Sequence, residues 1–426
     1  MSSRQPRRLA WEFLRDAERS DAYINLAIGD LHKKLDPQDR AFATELIFGS
    51  IRMRGLVDHL IDRLSDRDVD EVTRSVLRLA LYEALMMRTA EHAVVNEYVE
   101  ISKHVLGKAR SGFINAIMRR ALRERANIMD LHGLDLATRT SHPQWIVNAY
   151  RSVLEEERVE IELDSHNEPG EVHLVSFDHL HESVARKSLV TPFGYVAKVP
   201  PQEIEGVRRG TVFVQDEGSQ ILCEVALATD PTKSMRWLDL CAGPGGKFAY
   251  LAHYLPPSNL VGNELHQHRA ELIRRRAPEH QINVGDGRRF PEVAKYDRIV
   301  IDAPCTGIGA LRRRPDARWR RSEADLKSLV TLQRELLDHA SVILAPGGVI
   351  LYMTCSPHPL ETKAQVNDFL SRHPDFKILP IKRENLATIN FPSNARVIDS
   401  KGWLQLFTSD FGSDAMFMAM LVKDRA

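Results

Sequence analysis

The sequence predicts a multidomain protein in three parts: an all-α bundle at residues 1–140, a small α+β connector at 141–208, and an α/β domain at 209–426. Three observations predict this division. Apolar residues recur at helical spacing in the first part, prolines interrupt the second, and short apolar runs alternate with amphipathic helices in the third. The length of 426 residues agrees, since one domain takes about 150 residues.

Helical periodicity dominates the first part. Val94, Tyr98, Ile101 and Val105 recur at the spacing that places them on one face of a helix. No proline occurs within 38–142, and glycine is sparse there. Because nothing interrupts the helical pattern, a compact helical bundle is expected.

The connector carries weaker signals. Residues 142–145 (HPQW) predict the start of a short helix, and residues 171–177 (EVHLVSF) alternate like a strand. Prolines separate the remaining short stretches, at positions 169, 192, 200 and 201. The resulting prediction is a small α+β module.

The third part predicts a mostly parallel sheet with helices on both faces. Ligands of such sheets bind beyond the carboxyl ends of the strands, so functional residues are expected just after each strand. The candidate strands are Arg236–Leu240, Leu260–Asn263, Arg298–Ile301, Val349–Met353 and Met416–Leu421. The candidate helices are 247–254, 266–277, 323–344 and 361–372.

Composition excludes several classes of protein. Hydrophobic residues make up 43% and charged residues 27%, which excludes a wholly disordered chain. The longest apolar run, 342–353, is shorter than the roughly 20 residues of a membrane span, and the N-terminus becomes charged too early for a secretory signal. Four cysteines without a CxxC pair predict neither a disulfide framework nor a zinc site. We expect a soluble cytoplasmic protein with no metal and no membrane partner.

Arginines are concentrated in three clusters, although 58 basic residues balance 58 acidic ones. The clusters lie at 312–321, which includes Trp319, at 119–125 and at 269–276. Arginines interleaved with an aromatic residue suit phosphate contact and base stacking in a nucleic-acid complex. A solvated helix surface explains each cluster equally well.

A glycine-rich loop follows the first strand, at Cys241–Lys247. Closely spaced glycines let the backbone turn tightly and approach a ligand. Two familiar motifs fit poorly: a phosphate-binding loop needs Ser or Thr where Phe248 stands, and a dinucleotide fingerprint needs its third glycine at 248 rather than at Gly246. A third interpretation is S-adenosylmethionine, whose amino-acid end needs a close glycine backbone and whose ribose needs an acid.

Acids at two further strand ends support this interpretation. Glu264 ends the second strand 21 residues after Gly243, near the roughly 20-residue spacing of acids that bind ribose hydroxyls. Asp286 would end the third strand and can reach an adenine amino group. A helix cap explains either acid alone, but three such features at successive strand ends favour a donor site.

Two cysteines lie just after the fourth and fifth strands. The segment 302–305 (DAPC) follows the fourth strand and 354–356 (TCS) follows the fifth, so both thiols are expected at the rim where a substrate would lie. Cys223 and Cys241 are instead expected to be small buried hydrophobic residues, which is the usual role of a lone cysteine.

Two thiols, a carboxylate and a methyl donor suit methylation of cytosine at carbon-5. That carbon becomes nucleophilic when a thiolate adds to carbon-6. A carboxylate at the N3 and N4 edge can hold the base, and a base must then remove the carbon-5 proton. The thiolate needs nearby positive charge, for which Lys247 and Arg312–Arg314 are candidates.

Together these motifs resemble those of the RNA 5-methylcytosine methyltransferases. The N-terminal segments resemble a NusB-like domain, which narrows the resemblance to the ribosomal RNA small subunit methyltransferase B family. The resemblance covers most of the chain and weakens at 150–210. Its motifs are DRAFATELIFGSIR (39–52), AVVNEYVEISK (93–103), GFINAIMRR (112–120), LDLCAGPGGK (238–247), the acid at 264, GDGR (285–288), DAPCTG (302–307), RRRPD-x-x-W (312–319), APGG (345–348) and TCS (354–356).

The resemblance implies a helical RNA-binding domain followed by a Rossmann-like class I S-adenosylmethionine-dependent methyltransferase. Such an enzyme would methylate carbon-5 of one cytosine in 16S rRNA, with Cys355 as the nucleophile at carbon-6 and Cys305 assisting product release. Asp302 would line the donor and contact the target base. Glu264 would hold the ribose of the donor, and Asp286 would meet its adenine. Its methionine part would be cradled by Cys241, Ala242, Gly243, Pro244, Gly245, Gly246 and Lys247.

The same resemblance implies 16S rRNA or a small-subunit assembly intermediate as the partner of a monomer. Gln215–Gln220 resembles the segment that leads into the family's catalytic domain. The sequence departs from the family at Glu264, where many relatives have aspartate, and at Asp414–Phe417, where a Gly-Phe-Phe type sequence is common. Two alternatives stay open: another RNA target such as tRNA, and a non-catalytic RNA-binding assembly factor. The intact Cys305 and Cys355 argue against the second.

Overall fold

The computed structural model describes residues 4–20, 24–292, 295–391 and 397–425. These residues divide into two compact units. The first unit consists of Met1–Arg151, Glu155–Glu168 and Leu311–Arg320, and the second of Ser152–Leu154, Pro169–Ala310 and Arg321–Ala426.

The described residues form nineteen α-helices, twelve strands and five 3-10 helices. The α-helices are α1 (Arg4–Ser20), α2 (Ile24–His32), α3 (Pro37–Arg52), α4 (Arg54–Leu64), α5 (Glu71–Met86), α6 (Glu91–Val105), α7 (Lys108–Arg123), α8 (Arg125–Ile128), α9 (Leu136–Arg139), α10 (Gln144–Arg151), α11 (Glu156–Ser165), α12 (Glu205–Arg209), α13 (Glu217–Leu227), α14 (Gly246–Tyr254), α15 (Gln267–Arg276), α16 (Ala317–Arg320), α17 (Glu323–Ile343), α18 (Lys363–Arg372) and α19 (Thr408–Phe411). The strands are β1 (His173–Ser176), β2 (Ala185–Lys187), β3 (Gly194–Ala197), β4 (Val212–Val214), β5 (Trp237–Asp239), β6 (Leu260–Glu264), β7 (Gln281–Val284), β8 (Tyr296–Asp302), β9 (Leu344–Thr354), β10 (Phe376–Ile378), β11 (Leu404–Gln405) and β12 (Phe417–Lys423). The 3-10 helices are Pro201–Glu203, Gly287–Arg289, Ile308–Ala310, Pro359–Glu361 and Arg383–Leu386.

The first unit is helical, as its periodicity predicts. Val94, Tyr98 and Ile101 of α6 are buried in one hydrophobic core with the apolar faces of α1 to α7. Helix α5 begins after Asp70, whose carboxylate accepts a hydrogen bond from the Thr73 amide at 3.1 Å. Such an N-cap satisfies one of the amides that a helix leaves unpaired at its start.

The segment Leu311–Arg320 belongs to this helical unit although it lies far along the chain. The Arg318 side chain is 0% exposed, and its Nη1 donates to the carbonyl oxygen of Arg52 at 2.7 Å. Burial lowers the pKa of Arg318 to about 9. The indole nitrogen of Trp319 donates to the carbonyl oxygen of Ile51 at 2.7 Å. Arg318 is therefore not solvated surface and is not available for phosphate contact, whereas Trp319 is half-buried and base stacking by its ring stays a prediction.

Three strands of the connector form a four-stranded antiparallel sheet with β4, in the order β2-β3-β1-β4, and β4 lies beyond the predicted boundary at residue 208. The predicted strand at 171–177 is confirmed as β1, and the predicted helix at 142–145 as α10. Leu174 and Val212 belong to a small core with Ile204, whereas Val175 and Phe213 belong to the large core of the second unit. Both faces of the small sheet are thus covered.

The large sheet has the order β10-β12-β9-β8-β5-β6-β7, with β11 paired to β12. Strands β5 to β9 are parallel, while β12 and β10 are antiparallel additions at one edge. All five candidate strands and all four candidate helices are confirmed, with ends shifted by a few residues. Strand β7 was not among the candidate strands, although Asp286 was expected to follow a third strand, and it is present. Strands β10 and β11 were missed, since each has only two or three residues. None of the described helices has both the length and the hydrophobicity of a membrane-spanning segment.

Candidate active site

The carboxyl ends of the five parallel strands meet at one edge of the large sheet. Glu264 pairs in register with Val284, and Asp302 with Met353. Cys355 follows two residues after Met353, so the predicted residues leave neighbouring strands at the same edge. This edge is where ligands of α/β sheets bind.

The glycine loop lies directly against Glu264. The Ala242 amide donates to the carbonyl oxygen of Asn263 at 2.8 Å, which ties the loop to the end of β6. A Cβ atom on Gly243 would lie 1.9 Å from Oε2 of Glu264, so only glycine permits this close approach. The Glu264 side chain is buried, and its Oε1 accepts from the His266 amide at 2.9 Å. The structure thus brings the loop and the predicted ribose acid together.

Asn263 was not predicted and joins three strand ends. Its side-chain amide nitrogen lies 3.1 Å from the carbonyl oxygens of both Leu240 and Gly285, after β5 and β7. Because Asn263 precedes Glu264, these bonds also hold the acid in place.

Asp286 is engaged with its own loop. Its carboxylate accepts from the Arg288 amide at 3.0 Å and forms an ion pair with the Arg288 guanidinium at 2.6 Å. The hydrogen bond from Arg288 is the main reason that the pKa of Asp286 is lowered. Asp286 therefore caps a short helix, which is the alternative role that the sequence allowed for this acid. Contact between Asp286 and adenine stays a prediction. Nearby Leu265 and Val284 are 57% and 42% exposed, an apolar pair that the sequence analysis missed.

Lys247 and Asp302 form an ion pair with an Nζ to Oδ2 distance of 2.8 Å. Burial by itself would lower the pKa of Lys247, but the Asp302 carboxylate outweighs it and the pKa is raised. Cys355 adds to this effect, so the ammonium group also interacts electrostatically with the thiol. Of the two predicted sources of positive charge, Lys247 is the one that contacts Asp302 and interacts with Cys355, and Arg312–Arg314 belong to the first unit.

The two predicted thiols are in contact. The sulfur atoms of Cys305 and Cys355 lie 3.4 Å apart, both are free thiols, and both are half-buried. The hydrogen bond to Cys355, followed by burial, raises the pKa of Cys305 well above that of an ordinary thiol. The two thiols are therefore coupled, so that ionisation of one disfavours ionisation of the other. Cys223 is buried and burial raises its pKa, which agrees with the expected structural role.

Asp239 is a further buried acid that the sequence analysis did not single out. It ends β5, is 0% exposed, and accepts from the Cys241 amide at 3.3 Å. Burial, with a smaller effect of Asp302, raises its pKa to about 8. Asp239 is therefore protonated at neutral pH in the folded chain.

Replacement of Asp239 by asparagine is expected to flatten the pH dependence of stability. An unfolded aspartate loses its proton near pH 3.9, whereas the folded chain keeps it up to about pH 8, so the folded state binds more protons over this interval. The free energy of unfolding of the wild type therefore falls as the pH rises, by at most about 1.4 kcal/mol per pH unit from this group. Measured by urea denaturation, the free energy of unfolding of Asp239→Asn should fall less than that of the wild type across this pH range. Asp178→Asn, at an exposed position, serves as the control. If the free energy of unfolding of Asp239→Asn changes with pH as that of the wild type does, the assignment is contradicted.

Comparison with known proteins follows the same division of the chain. Residues 226–422 match a family model described as 16S rRNA methyltransferase RsmB/F, and residues 4–123 match the NusB family. The putative methyltransferase Rv1407 of Mycobacterium tuberculosis is 38% identical over 97% of this chain and 96% of that protein. This chain belongs to the RsmB/F methyltransferase family. The probable ribosomal RNA small subunit methyltransferase B of Bacillus subtilis is 29% identical over 99% of this chain and all of that protein.

Solved structures support the fold of this RsmB/F family member. The crystal structure of PH0851 matches with a TM-score of 0.79 and 21% identity, over 99% of each chain. NSun6 from Pyrococcus horikoshii, solved with SFG, matches with a TM-score of 0.55 and 15% identity, over 67% of this chain and 99% of that chain. The predicted NusB-like bundle and Rossmann-like methyltransferase domain are confirmed.

Proposed function

We propose that this protein transfers a methyl group from S-adenosylmethionine to carbon-5 of one cytosine in 16S rRNA, through a covalent bond between Cys355 and carbon-6 of the base. The observation that carries the proposal is the contact of the two thiols beside the Lys247–Asp302 ion pair, at the strand ends of a chain from this family. A pair of sulfurs and a carboxylate is what addition to a pyrimidine and its reversal require.

The residues around the glycine loop fit the donor. Gly243 leaves its backbone open beside the Glu264 carboxylate, which would accept hydrogen bonds from the ribose hydroxyls. The exposed Leu265 and Val284 offer an apolar surface for the adenine ring, next to Asp286. When bound there, S-adenosylmethionine supplies a methyl group carried on a positively charged sulfur.

Cys355 begins the reaction as a thiolate. Its sulfur forms a bond to carbon-6, and the electron pair of the 5,6 double bond moves to carbon-5, the atom to be methylated. Lys247 stabilises the thiolate before attack. Asp302, held by Lys247, binds the N3 and N4 edge of the base and stabilises the charge that develops in the ring.

Cys305 completes the reaction as a base. The hydrogen bond to Cys355 is the largest cause of its raised pKa, and formation of the thioether removes that cause. The pKa of Cys305 therefore falls once the thioether has formed. Cys305 then loses its proton to solvent and is a thiolate at the stage where a base is needed. It takes the carbon-5 proton, the 5,6 double bond forms again, and the sulfur of Cys355 leaves as a thiolate.

Bisulfite mapping of rRNA tests the proposal. In 16S rRNA from the parent strain, one cytosine should be protected from conversion by bisulfite. The same cytosine should be converted in 16S rRNA from a strain that lacks this protein. Purified protein and S-adenosylmethionine should restore protection at that position, and the comparison of naked 16S rRNA with small-subunit assembly particles identifies the substrate form. A 16S conversion pattern identical in the two strains would contradict the proposal, and protection lost in tRNA instead would redirect it to another RNA.

Replacement of Gly243 by alanine is expected to weaken donor binding. The new Cβ would displace the Glu264 carboxylate, and loss of a hydrogen bond to a charged group costs about 1.5–3 kcal/mol, or about tenfold to a hundredfold in affinity. Titration calorimetry with S-adenosylmethionine measures the change. Gly285→Ala is the matched control, because its nearest neighbour would be Oδ1 of Asn263 at 3.9 Å. Equal affinity in the two variants would remove Glu264 from the donor site.

A further inference from the structure

A buried carboxylate lies behind the two thiols. Glu361 is 0% exposed and accepts hydrogen bonds from the amide and hydroxyl of Thr306, at 2.7 and 2.5 Å. It is also hydrogen-bonded to the hydroxyl of Ser356. Thr306 directly follows Cys305, and Ser356 directly follows Cys355. One carboxylate therefore holds the residue after each thiol.

Helix α17 contributes a further contact to the Glu361 carboxylate. Gln333 is 0% exposed, and its side-chain nitrogen lies 3.2 Å from Glu361 and 2.9 Å from the carbonyl oxygen of Pro304. The Tyr352 hydroxyl lies within hydrogen-bonding distance of the Gln333 side chain and of the Glu361 backbone oxygen. The residues on both sides of Cys305 are thus held by one buried network.

The two thiols depend on this network to different degrees. Cys355 directly follows the central strand β9, which is paired on one side with β8 and on the other with β12 up to Thr354. Cys305 lies three residues beyond the end of β8, in a stretch without helix or strand. Backbone bonds tie the two ends of its loop to the strand end, from the Ala303 amide to the Met353 carbonyl oxygen at 2.9 Å and from the Gly309 amide to the Cys355 carbonyl oxygen at 3.0 Å. Between these ends, the residues on either side of Cys305 are held by the bonds at Pro304 and Thr306.

Burial of a carboxylate has a cost. Burial raises the pKa of Glu361, and the hydrogen bonds from its neighbours offset this only in part. A buried acid is maintained where its bonds specify one geometry. No atom of Glu361 takes part in the chemistry derived above, so its effect must pass through the loops that it holds.

We propose that Glu361 is a positioning residue that keeps the Cys305 loop against Cys355 and thereby sets the rate at which the methylated product is released. This inference rests on the proposed function. Loss of the Glu361 carboxylate would leave Cys355 able to attack, because its strand is held independently. Cys305 would be displaced from the carbon-5 proton, and the covalent intermediate would persist.

The variant Glu361→Gln, in the full-length protein, tests the inference. Glutamine has nearly the same size as glutamate, but its amide group places a hydrogen-bond donor opposite the donors of Thr306. We expect kcat to fall by about 10- to 100-fold, as for a small misplacement of a reacting group, with the Kd for S-adenosylmethionine, measured by titration calorimetry, unchanged. A protein–RNA adduct that survives denaturing electrophoresis should accumulate. Thr306→Val, which removes only the hydroxyl bonds to Glu361 and Ser356 and keeps the amide bond, should act in the same direction more weakly. The exposed Glu279→Gln should behave as the wild type.

Three outcomes overturn the inference while the proposed function stands. The first is wild-type turnover in Glu361→Gln. The second is a loss of kcat that matches the unfolded fraction seen in thermal melts, with no adduct in Glu361→Gln or Thr306→Val. The third is a trapped adduct in Cys305→Ala but none in Glu361→Gln. This result would contradict the positioning role of Glu361 and leave the proposed function intact. If the wild type methylates no cytosine, the proposed function and this inference fail together.

Discussion

Replacement of Cys355 by alanine is expected to abolish methyl transfer to RNA, with a loss of about 10⁴-fold or more, as for removal of a covalent nucleophile. Without its sulfur, carbon-6 of the cytosine has no partner and carbon-5 stays unreactive. Affinity for S-adenosylmethionine should stay near that of the wild type, because the residues proposed to hold the donor follow β5, β6 and β7, whereas Cys355 follows β9. Transfer of a labelled methyl group and titration calorimetry measure the two quantities.

Cys223→Ala is the matched control for Cys355→Ala. Cys223 is a buried thiol of the same unit that the mechanism does not use, so the variant should retain transfer. If Cys355→Ala still methylates RNA, the nucleophile has been assigned to the wrong residue.

Replacement of Cys305 by alanine should trap the reaction after methylation. The nucleophile is intact, so Cys355 still adds to the base, but the group 3.4 Å away that would take the carbon-5 proton is gone. Most of the protein should then run as a covalent RNA complex on a denaturing gel, and only when both RNA and S-adenosylmethionine are present. Multiple turnover should fall by about 10²-fold or more, since general base catalysis contributes on that scale.

The double variant with Cys305→Ala and Cys355→Ala tests which sulfur is attached. It should form no adduct, because the trapped bond belongs to Cys355. An adduct in the double variant would point to another nucleophile. Normal turnover without an adduct in the single variant would mean that product release needs no help from Cys305.

Much of the fold could be predicted because its signals are local. The helical stripe of α6 and the strands β5, β6, β8, β9 and β12 follow from apolar spacing within a few residues of each other. The position of the site followed as well, since parallel strands place their carboxyl ends at one edge. This is why Cys305 and Cys355, which are 50 residues apart, were expected to lie close together.

The support behind the thiols could not be predicted. Glu361 meets Thr306 across 55 residues and Gln333 across 28, and no motif marks these side chains as partners. Each would pass for an ordinary polar residue of a helix or loop. Asp239 is a similar case, because its raised pKa depends on complete burial beside Asp302.

The arginine-rich segment illustrates the limit of composition. Charge and an aromatic residue describe 312–321 as a sequence, but they do not tell whether a guanidinium faces water or carbonyl oxygens. Arg318 is buried because backbone carbonyls such as that of Arg52 accept its hydrogen bonds, and these come from distant parts of the chain.

By itself, the sequence determined the succession of helices and strands, the glycine loop and the two sulfurs at adjacent strand ends, because each depends on residues that are near one another or on the general geometry of a parallel sheet. Tertiary structure alone decided which charge faces the thiols, which acid keeps its proton and what holds the Cys305 loop. The physical reason is that burial and hydrogen-bond partners are properties of the packed chain, and residues far apart in sequence set them together.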